Sequence, residues 1–390
     1  MFRIRTYNQI ALRGLERFPR DRFEVASELS EPDALLLRSH PLGGDDIPLT
    51  VKAVARAGAG VNNIDVAHCS ARAIPVFNTP GANANAVKEL VVAGLLLASR
   101  HLREGLDWVA GLRADSEADL HRQVEEGKKH FQGRELRGRT LGVVGLGAIG
   151  SRVAHTALSL DMNVIGYDPA LSLDAAWRLP SQVAPMASLE ALLARADYVT
   201  LHLPLLEATR DLIGAAQLAP MKEDAVLLNF ARQGIVDDAA VAQALRAGKL
   251  RGFVTDFPSL ALTGVPGVLA LPHLGASTGE SEENCAVMAA EALTDFLENG
   301  NIRHSVNFPD LILEPGPGVR LAVTNRNIPK MLGQVLSVLA DADINVIDML
   351  NKSRDELAYN LLDLAEEPTA AAMARIRALE GVINARLVRP

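Results

Sequence analysis

The segment LGVVGLGAIG, Leu141 to Gly150, leaves few folds open to this chain. An aliphatic run ends in Gly145-x-Gly147-x-x-Gly150 and passes directly into a helical stretch, Ala148 to Leu160. Glycines at that spacing meet three needs: a tight turn at the first, backbone approach to a phosphate at the second, and close packing of helix on strand at the third. Such a turn belongs to a parallel sheet in which strands alternate with helices. Asp168 stands 18 residues after Gly150, at the end of the next aliphatic run, NVIGYD. A carboxylate there accepts from both ribose hydroxyls of a dinucleotide and repels a 2′-phosphate. Gly145, Gly147, Ala148, Ile149, Gly150 and Asp168 therefore predict a cofactor site for NAD in preference to NADP.

The same rhythm continues through ADYVTLHLP, DAVLLNFA, LRGFVTDF and VLALPHLG, predicting a doubly wound sheet of five or six strands. An earlier series from Phe23 to about Pro80, FEVASE, DALLLRS, VKAVARAG and IPVFNTP, reads as further parallel β/α units. A long helix is expected from about Asn85 to Arg113, and the polar, aperiodic stretch Ser116 to Arg139 predicts a domain junction. After a helix from Glu280 to Glu298, the Pro/Gly-rich stretch Pro309 to Gly318 reads as a linker. The remainder alternates strand VRLAVT, helix Lys330 to Asp341, strands INVIDMLNKS and ELAYNLLDLA, helix Thr369 to Leu379 and strand INARLV. That βαββαβ order predicts a ferredoxin-like sandwich. The α/β chain is expected to hold two doubly wound parallel-sheet domains, one of residues 1–95 with 285–308 and one of 96–284, plus the small domain 318–390.

Charge and composition narrow the function. With 47 acidic against 39 basic residues the net charge is −8, which disfavours nucleic acid and anionic membranes as partners. The longest apolar run, Leu90 to Ala98, falls short of the ~20 residues that span a bilayer, and MFRIRTYNQI has no apolar signal core, so a cytoplasmic protein is expected. Cys69 and Cys285 can form neither a disulfide framework nor a Cys-rich zinc site. No metal is expected, and both read as small buried hydrophobes.

Three more segments fall at strand ends of the second sheet: Asn229 to Gly234, Thr255 to Phe257, and Pro272 to Ser277. An arginine at a strand end is usually a solvated side chain, and a lone histidine is usually a satisfied polar group. Together, Arg232 and His273 supply a cation that can grip an α-keto acid through two hydrogen bonds and an imidazole that can take up and return a proton. Hydride transfer to a 2-keto group requires both.

On these motifs the chain resembles the D-2-hydroxyacid dehydrogenase family, in the branch that acts on 3-phosphoglycerate and carries a C-terminal amino-acid-binding ACT domain. The likeness runs nearly end to end, through RAGAGVNNID at Arg56 to Asp65, FNTPG at Phe77 to Gly81, GLGAIG, NFARQGIVDD and PHLGAST. It implies Arg232 as the catalytic arginine, His273 as proton donor and acceptor, and Asp256 as the holder of the nicotinamide carboxamide. Thr79, Phe230, Ala231, Gly275 and Ala276 would complete the cofactor site. The loop after Arg56, with Gly58 and Asn78, would receive the substrate carboxylate, and Ser39 and Arg56 its phosphate. Oxidation of 3-phosphoglycerate, the first step toward serine, by a homodimer or homotetramer is what the resemblance implies. Asn325, Asn327 and Asn345 would bind serine as an effector, unless the module serves only to dimerise.

Three departures qualify the likeness. Family members carry a glutamate beside the catalytic histidine about five residues after the aspartate of TDF, and here Phe257 to Leu262 contains no acid. Gln233 replaces a glycine, and Lys330 stands where the ACT loop commonly has another. A dehydrogenase of another D-2-hydroxy acid and a catalytically impaired nucleotide sensor therefore remain alternatives.

Overall fold

The computed structural model describes residues 1–388 and divides into two compact units, Met1–Asn83 with Gly279–Pro390, and Ala84–Thr278. In the first, five parallel strands β1 (Phe2–Thr6), β2 (Phe23–Ala26), β3 (Ala34–Leu37), β4 (Ala53–Arg56) and β5 (Val76–Phe77) run in the order β2-β1-β3-β4-β5. The order reverses between β1 and β3, and open α/β sheets hold ligands beyond the carboxyl ends of strands at such a switch. β1 escapes pattern reading because only Ile4 of FRIRT is buried, while Arg3 pairs with Glu24 and Arg5 lies over the Tyr7 ring. The helix Gly279–Asn299 returns to this sheet. Its Cys285, Ala286, Ala289, Ala290, Leu293, Phe296 and Leu297 form one apolar stripe in the core with Ala53, Ala55 and Phe77.

The second unit is a seven-stranded parallel sheet: β6 (Thr140–Val144), β7 (Asn163–Tyr167), β8 (Ala184–Pro185), β9 (Tyr198–Leu201), β10 (Val226–Asn229), β11 (Gly252–Thr255) and β12 (Val268–Ala270). Their order, β12-β11-β10-β9-β6-β7-β8, is the doubly wound one expected, with the switch between β6 and β9. β9, β10 and β11 are buried at every position, as strands covered on both faces must be. The two-residue edge strand β8 is too short to show a period. The expected helix from Asn85 to Arg113 is two helices, Ala84–Arg100 and Leu102–Gly111, broken where His101 adopts φ 49°. The stretch expected as a junction instead holds the helix Glu117–Gly127 inside this unit. That helix buries no residue, so it shows no apolar period. It is held by a Ser116 cap and by pairs of Arg122 with Asp119 and Glu126.

The βαββαβ module is present as expected: β13 (Val319–Arg326), β14 (Val346–Arg354), β15 (Leu357–Leu364) and β16 (Val382–Val388) form an antiparallel sheet in the order β14-β15-β13-β16. One face, with Leu321, Val323, Leu362 and Leu364, packs on the helices Met331–Ala340 and Ala370–Ala378. The other face sends Ala322, Tyr359, Leu361 and Val388 into the core of the first sheet, beside Phe296, Phe308 and Leu311. The module is thus part of the first unit, and residues 309–318 do not act as a free linker. Leu311 exchanges two 2.9 Å backbone bonds with Ile302, and Leu311 and Leu313 are buried.

Arg320 fastens this seam. Its guanidinium meets Asp363 through two bonds of 2.6 and 2.9 Å and also donates to the carbonyls of Asn299, Leu313 and Glu314. Both side chains are almost fully buried. Removing one partner of such a pair strands the other charge, so Asp363→Ala should lower the unfolding free energy by about 3 to 5 kcal/mol in urea titration. A loss below about 1 kcal/mol would show that the seam does not depend on this pair.

Candidate active site

The glycine turn of the second unit is built as its spacing required. Gly145 has φ 89°, and a Cβ there would lie 2.5 Å from the His202 carbonyl oxygen. A Cβ at Gly150 would lie 1.9 Å from the Gly145 oxygen, so only glycine lets the helix Ala148–Ser159 sit this close to β6. At Gly147 a Cβ would meet nothing within 4 Å. Open space at a helix N-terminus that carries no side-chain cap suits a pyrophosphate. Asp168 follows β7, and its two oxygens accept from Leu146 N–H at 2.8 Å and Ala170 N–H at 2.9 Å. The acid is fixed beside the turn with lone pairs left for ribose hydroxyls. These residues fit NAD.

His202, at the end of β9, went unremarked in the sequence. Its Nε2 lies 3.0 Å from the Thr200 hydroxyl, whereas Nδ1 is buried with no partner. Burial pushes the imidazole down to about 3, so it is neutral across the working range.

The catalytic candidates occupy the ends of β10, β11 and β12. After β10, buried Asn229 braces the turn by accepting from Ala231 N–H at 3.1 Å and donating to the Arg232 carbonyl at 3.0 Å. Gly234, at φ 83°, takes the left-handed position, which leaves an ordinary backbone site for Gln233. Phe230 and Ala231 are buried, and the Phe230 ring packs against Gly94 and into the helix–sheet core. Arg232 donates to the Ala231 carbonyl at 2.7 Å and pairs with no carboxylate among the described residues. Partial desolvation lowers its proton affinity, although a guanidinium stays charged.

After β11, Asp256 is 1% exposed, and its carboxylate accepts from Leu274 N–H and Gly275 N–H, both at 2.7 Å. Its carbonyl accepts from His273 N–H at 3.1 Å. Three bonds thus hold the loop after β12 while His273 adopts φ 55°. The imidazole meets the Phe257 ring edge-on at 5.1 Å. Gly275 is buried, with a Cβ there 3.0 Å from Asp256 Oδ2, and Ala276 is half-buried beside it. Ala261, the position at which the resemblance implies an acid, is exposed.

The candidate substrate residues lie in the first unit. Arg56 Nε donates to the Arg38 carbonyl at 2.8 Å and its Nη1 to the Gly60 carbonyl, folding the guanidinium under its own loop. A Cβ at Gly58 would lie 3.2 Å from that Nη1. Asn78 donates to the Ala59 carbonyl at 2.6 Å and Thr79 N–H to the Gly58 carbonyl at 3.1 Å. The N–H groups of Ala59 and Gly60 have no partner among the described residues. Successive free N–H groups suit a carboxylate. Thr79 is fully buried against the Cys285 thiol, whose proton affinity burial raises. Burial likewise pushes Cys69 up to about 12, so neither cysteine is a nucleophile. Asn8, at φ 63°, was not foreseen; its Oδ1 accepts from Ser39 N–H and His40 N–H and shapes the loop after β3.

In the C-terminal module, Asn325 is buried in an amide chain, accepting from Asn360, which in turn accepts from Asn351. Asn327 and Asn345 are exposed. Lys330 has φ 73°, a left-handed conformation that glycine adopts without strain. Among the described residues no helix is long and apolar enough to cross a membrane, and no group of three or more His, Cys, Asp or Glu could hold a metal.

Comparison with known proteins accords with this geometry. A family profile described as "D-isomer specific 2-hydroxyacid dehydrogenase, NAD binding domain" matches residues 93–275. D-3-phosphoglycerate dehydrogenase of Haemophilus influenzae is 32% identical over 341 residues, 84% of this chain and 79% of that protein. The chain belongs to the D-isomer specific 2-hydroxyacid dehydrogenase family. Within that family the dehydrogenase is also 31% identical to D-3-phosphoglycerate dehydrogenase of Methanocaldococcus jannaschii, over 94% of this chain and 68% of that protein. It matches the NAD-bound 3-phosphoglycerate dehydrogenase of Entamoeba histolytica with a TM-score of 0.61 at 26% identity, over 80% of this chain and 99% of that one. The dehydrogenase uses NAD.

Burial of His202 predicts that the dehydrogenase loses stability in acid. Its folded value, about 3, lies below the unfolded 6.5, so the unfolded chain binds a proton the folded one refuses. Stability should fall as pH drops through 6.5, by about 2 kcal/mol between pH 6.5 and 5. Urea unfolding of His202→Gln across that window should lack this component; an unchanged slope would assign the acid sensitivity elsewhere.

Proposed function

We propose that the enzyme oxidises the 2-hydroxyl of 3-phosphoglycerate to the 2-keto acid, the first step toward serine. The observation that supports this most is that the carboxyl ends of β10, β11 and β12 carry an Arg232 with no acid partner among the described residues and a His273 on a loop clamped by Asp256. NAD, when bound at Gly145 to Gly150 and Asp168, accepts the hydride that leaves C2. Arg232 orients the carboxylate and polarises the developing carbonyl oxygen, while a ring nitrogen of His273 takes the hydroxyl proton. In the first unit, the N–H groups of Ala59 and Gly60, which have no partner among the described residues, are donors suited to a carboxylate. Ser39 serves the phosphate end, and Arg56 braces the loop that carries Gly58 to Gly60.

A second reading, oxidation of a non-phosphorylated D-2-hydroxy acid, draws support from the engagement of Arg56 with the Arg38 and Gly60 carbonyls. The enzyme also self-associates in this proposal. Leu102, Leu106 and Val109, at 44, 70 and 55% exposure, share one face of the helix Leu102–Gly111, and a second copy would cover them. We place it in the cytoplasm, with serine as an effector held by Asn327 and Asn345.

Initial rates of NAD reduction with 3-phosphoglycerate, glycerate, lactate and 2-hydroxyglutarate separate the readings. Expected is a preference for 3-phosphoglycerate, with NADP at least ~10-fold poorer because Asp168 repels its 2′-phosphate. A better non-phosphorylated acid would select the second reading, and no turnover at all would select a sensor. Arg56→Ala should raise KM for both 3-phosphoglycerate and glycerate about 10-fold, since the guanidinium braces the shared loop. A loss confined to 3-phosphoglycerate would make phosphate contact the main role of Arg56.

A further inference from the structure

A hydrogen-bonded route crosses the first unit from the C-terminal module to the substrate loop. It begins at exposed Asn327, whose backbone N–H donates to the Glu356 carbonyl at 2.8 Å and whose Nδ2 donates to the Asp355 carbonyl at 3.2 Å. Asp355 and Glu356 form the turn between β14 and β15, with Asp355 at φ 51°. Arg354, the last residue of β14, reaches out of the module and donates from Nη1 to the carbonyls of Ser305 at 3.0 Å and Phe308 at 3.4 Å. Residues 304–306 lie along β5 as an added strand: Val306 N–H donates to the Val76 carbonyl, and Asn78 N–H donates to the His304 carbonyl at 3.2 Å. Asn78 then holds the Ala59 carbonyl, and Thr79 the Gly58 carbonyl.

We propose that Arg354 is a positioning residue for the substrate loop, acting from the C-terminal module through residues 304–306 and Asn78. The inference rests on the dehydrogenase reading above. Arg354 touches neither Arg232 nor His273 in this scheme, and its work is to keep the added strand, and with it Asn78, in register with the loop that presents the Ala59 and Gly60 N–H groups. Coupling of this kind commonly amounts to a few-fold to tens-fold in affinity.

The test compares wild type with Arg354→Met, Arg354→Lys, Asn327→Ala and the double variant Asn327→Ala/Arg354→Met. Arg354→Met should raise KM for 3-phosphoglycerate about three- to ten-fold and leave kcat and KM for NAD within about two-fold. Arg354→Lys should recover most of the loss, because an ammonium can still donate to the Ser305 carbonyl. The double variant should match Arg354→Met alone, since cutting one route twice adds nothing. Hydrogen exchange provides a readout apart from turnover: the Asn78 and Thr79 amides should exchange faster in Arg354→Met, with the β10 amides unchanged. Unchanged KM, equal losses in both KM values, additive single effects or unchanged exchange would each overturn the proposal. If no acid is turned over, the dehydrogenase reading fails, and exchange alone still decides the role of Arg354.

Discussion

A carboxylate that is 1% exposed needs hydrogen bonds to offset its lost hydration, and Asp256 has found them in the N–H groups of Leu274 and Gly275. The loop at the ends of β11 and β12 depends on this one exchange. It ties the end of β11 to the loop after β12 and fixes the residue just before those donors, His273, in a left-handed backbone conformation. The resemblance implies an acidic partner for the histidine near Ala261, and Phe257 to Leu262 contains no acid. The imidazole is steered instead by its backbone and by the Phe257 ring. The resemblance gives Asp256 the nicotinamide carboxamide to hold, whereas the geometry gives it the histidine loop.

Much of this arrangement could be read from the sequence because its constraints are local. Three glycines within six residues specify a turn whose outcome does not depend on distant packing, and a Cβ at Gly150 would lie 1.9 Å from the Gly145 oxygen. Wholly buried strands such as VLLN and GFVT also announce themselves as continuous apolar runs. β1 was hidden because alternate arginines in FRIRT find partners through tertiary structure. The helix Glu117–Gly127 was hidden because charge pairs on a face that never becomes buried hold it. Residues whose roles arise from long-range contact, Asn8, His202, Arg354 and Arg320, carry no local signature and had to be found in space.

The C-terminal module shows most clearly where local reading fails. Proline and glycine in PDLILEPGPG signal a flexible connection, yet Leu311 and Leu313 point inward and the flanking carbonyls of Leu313 and Glu314 bind Arg320. With Tyr359 donating to the Gly300 carbonyl and Arg386 to the Phe296 carbonyl, the sheet's outer face becomes part of the first domain's core. A module joined in this way shares the energetics of the first sheet. Asn325 illustrates the consequence for site prediction: the residue type suited an amino-acid ligand, but the fold consumes its amide in a chain with Asn360 and Asn351.

The role of Asp256 can be tested directly by Asp256→Asn, which keeps the shape but presents an NH2 group to one of the two N–H donors. If the carboxylate positions His273, kcat in both directions should fall about 10- to 100-fold, as misplacement by an ångström can cost, while the Kd for NADH, measured by fluorescence titration, stays within about three-fold of wild type. Unchanged kcat, or a loss found wholly in the NADH Kd, would contradict it and return Asp256 to the nicotinamide.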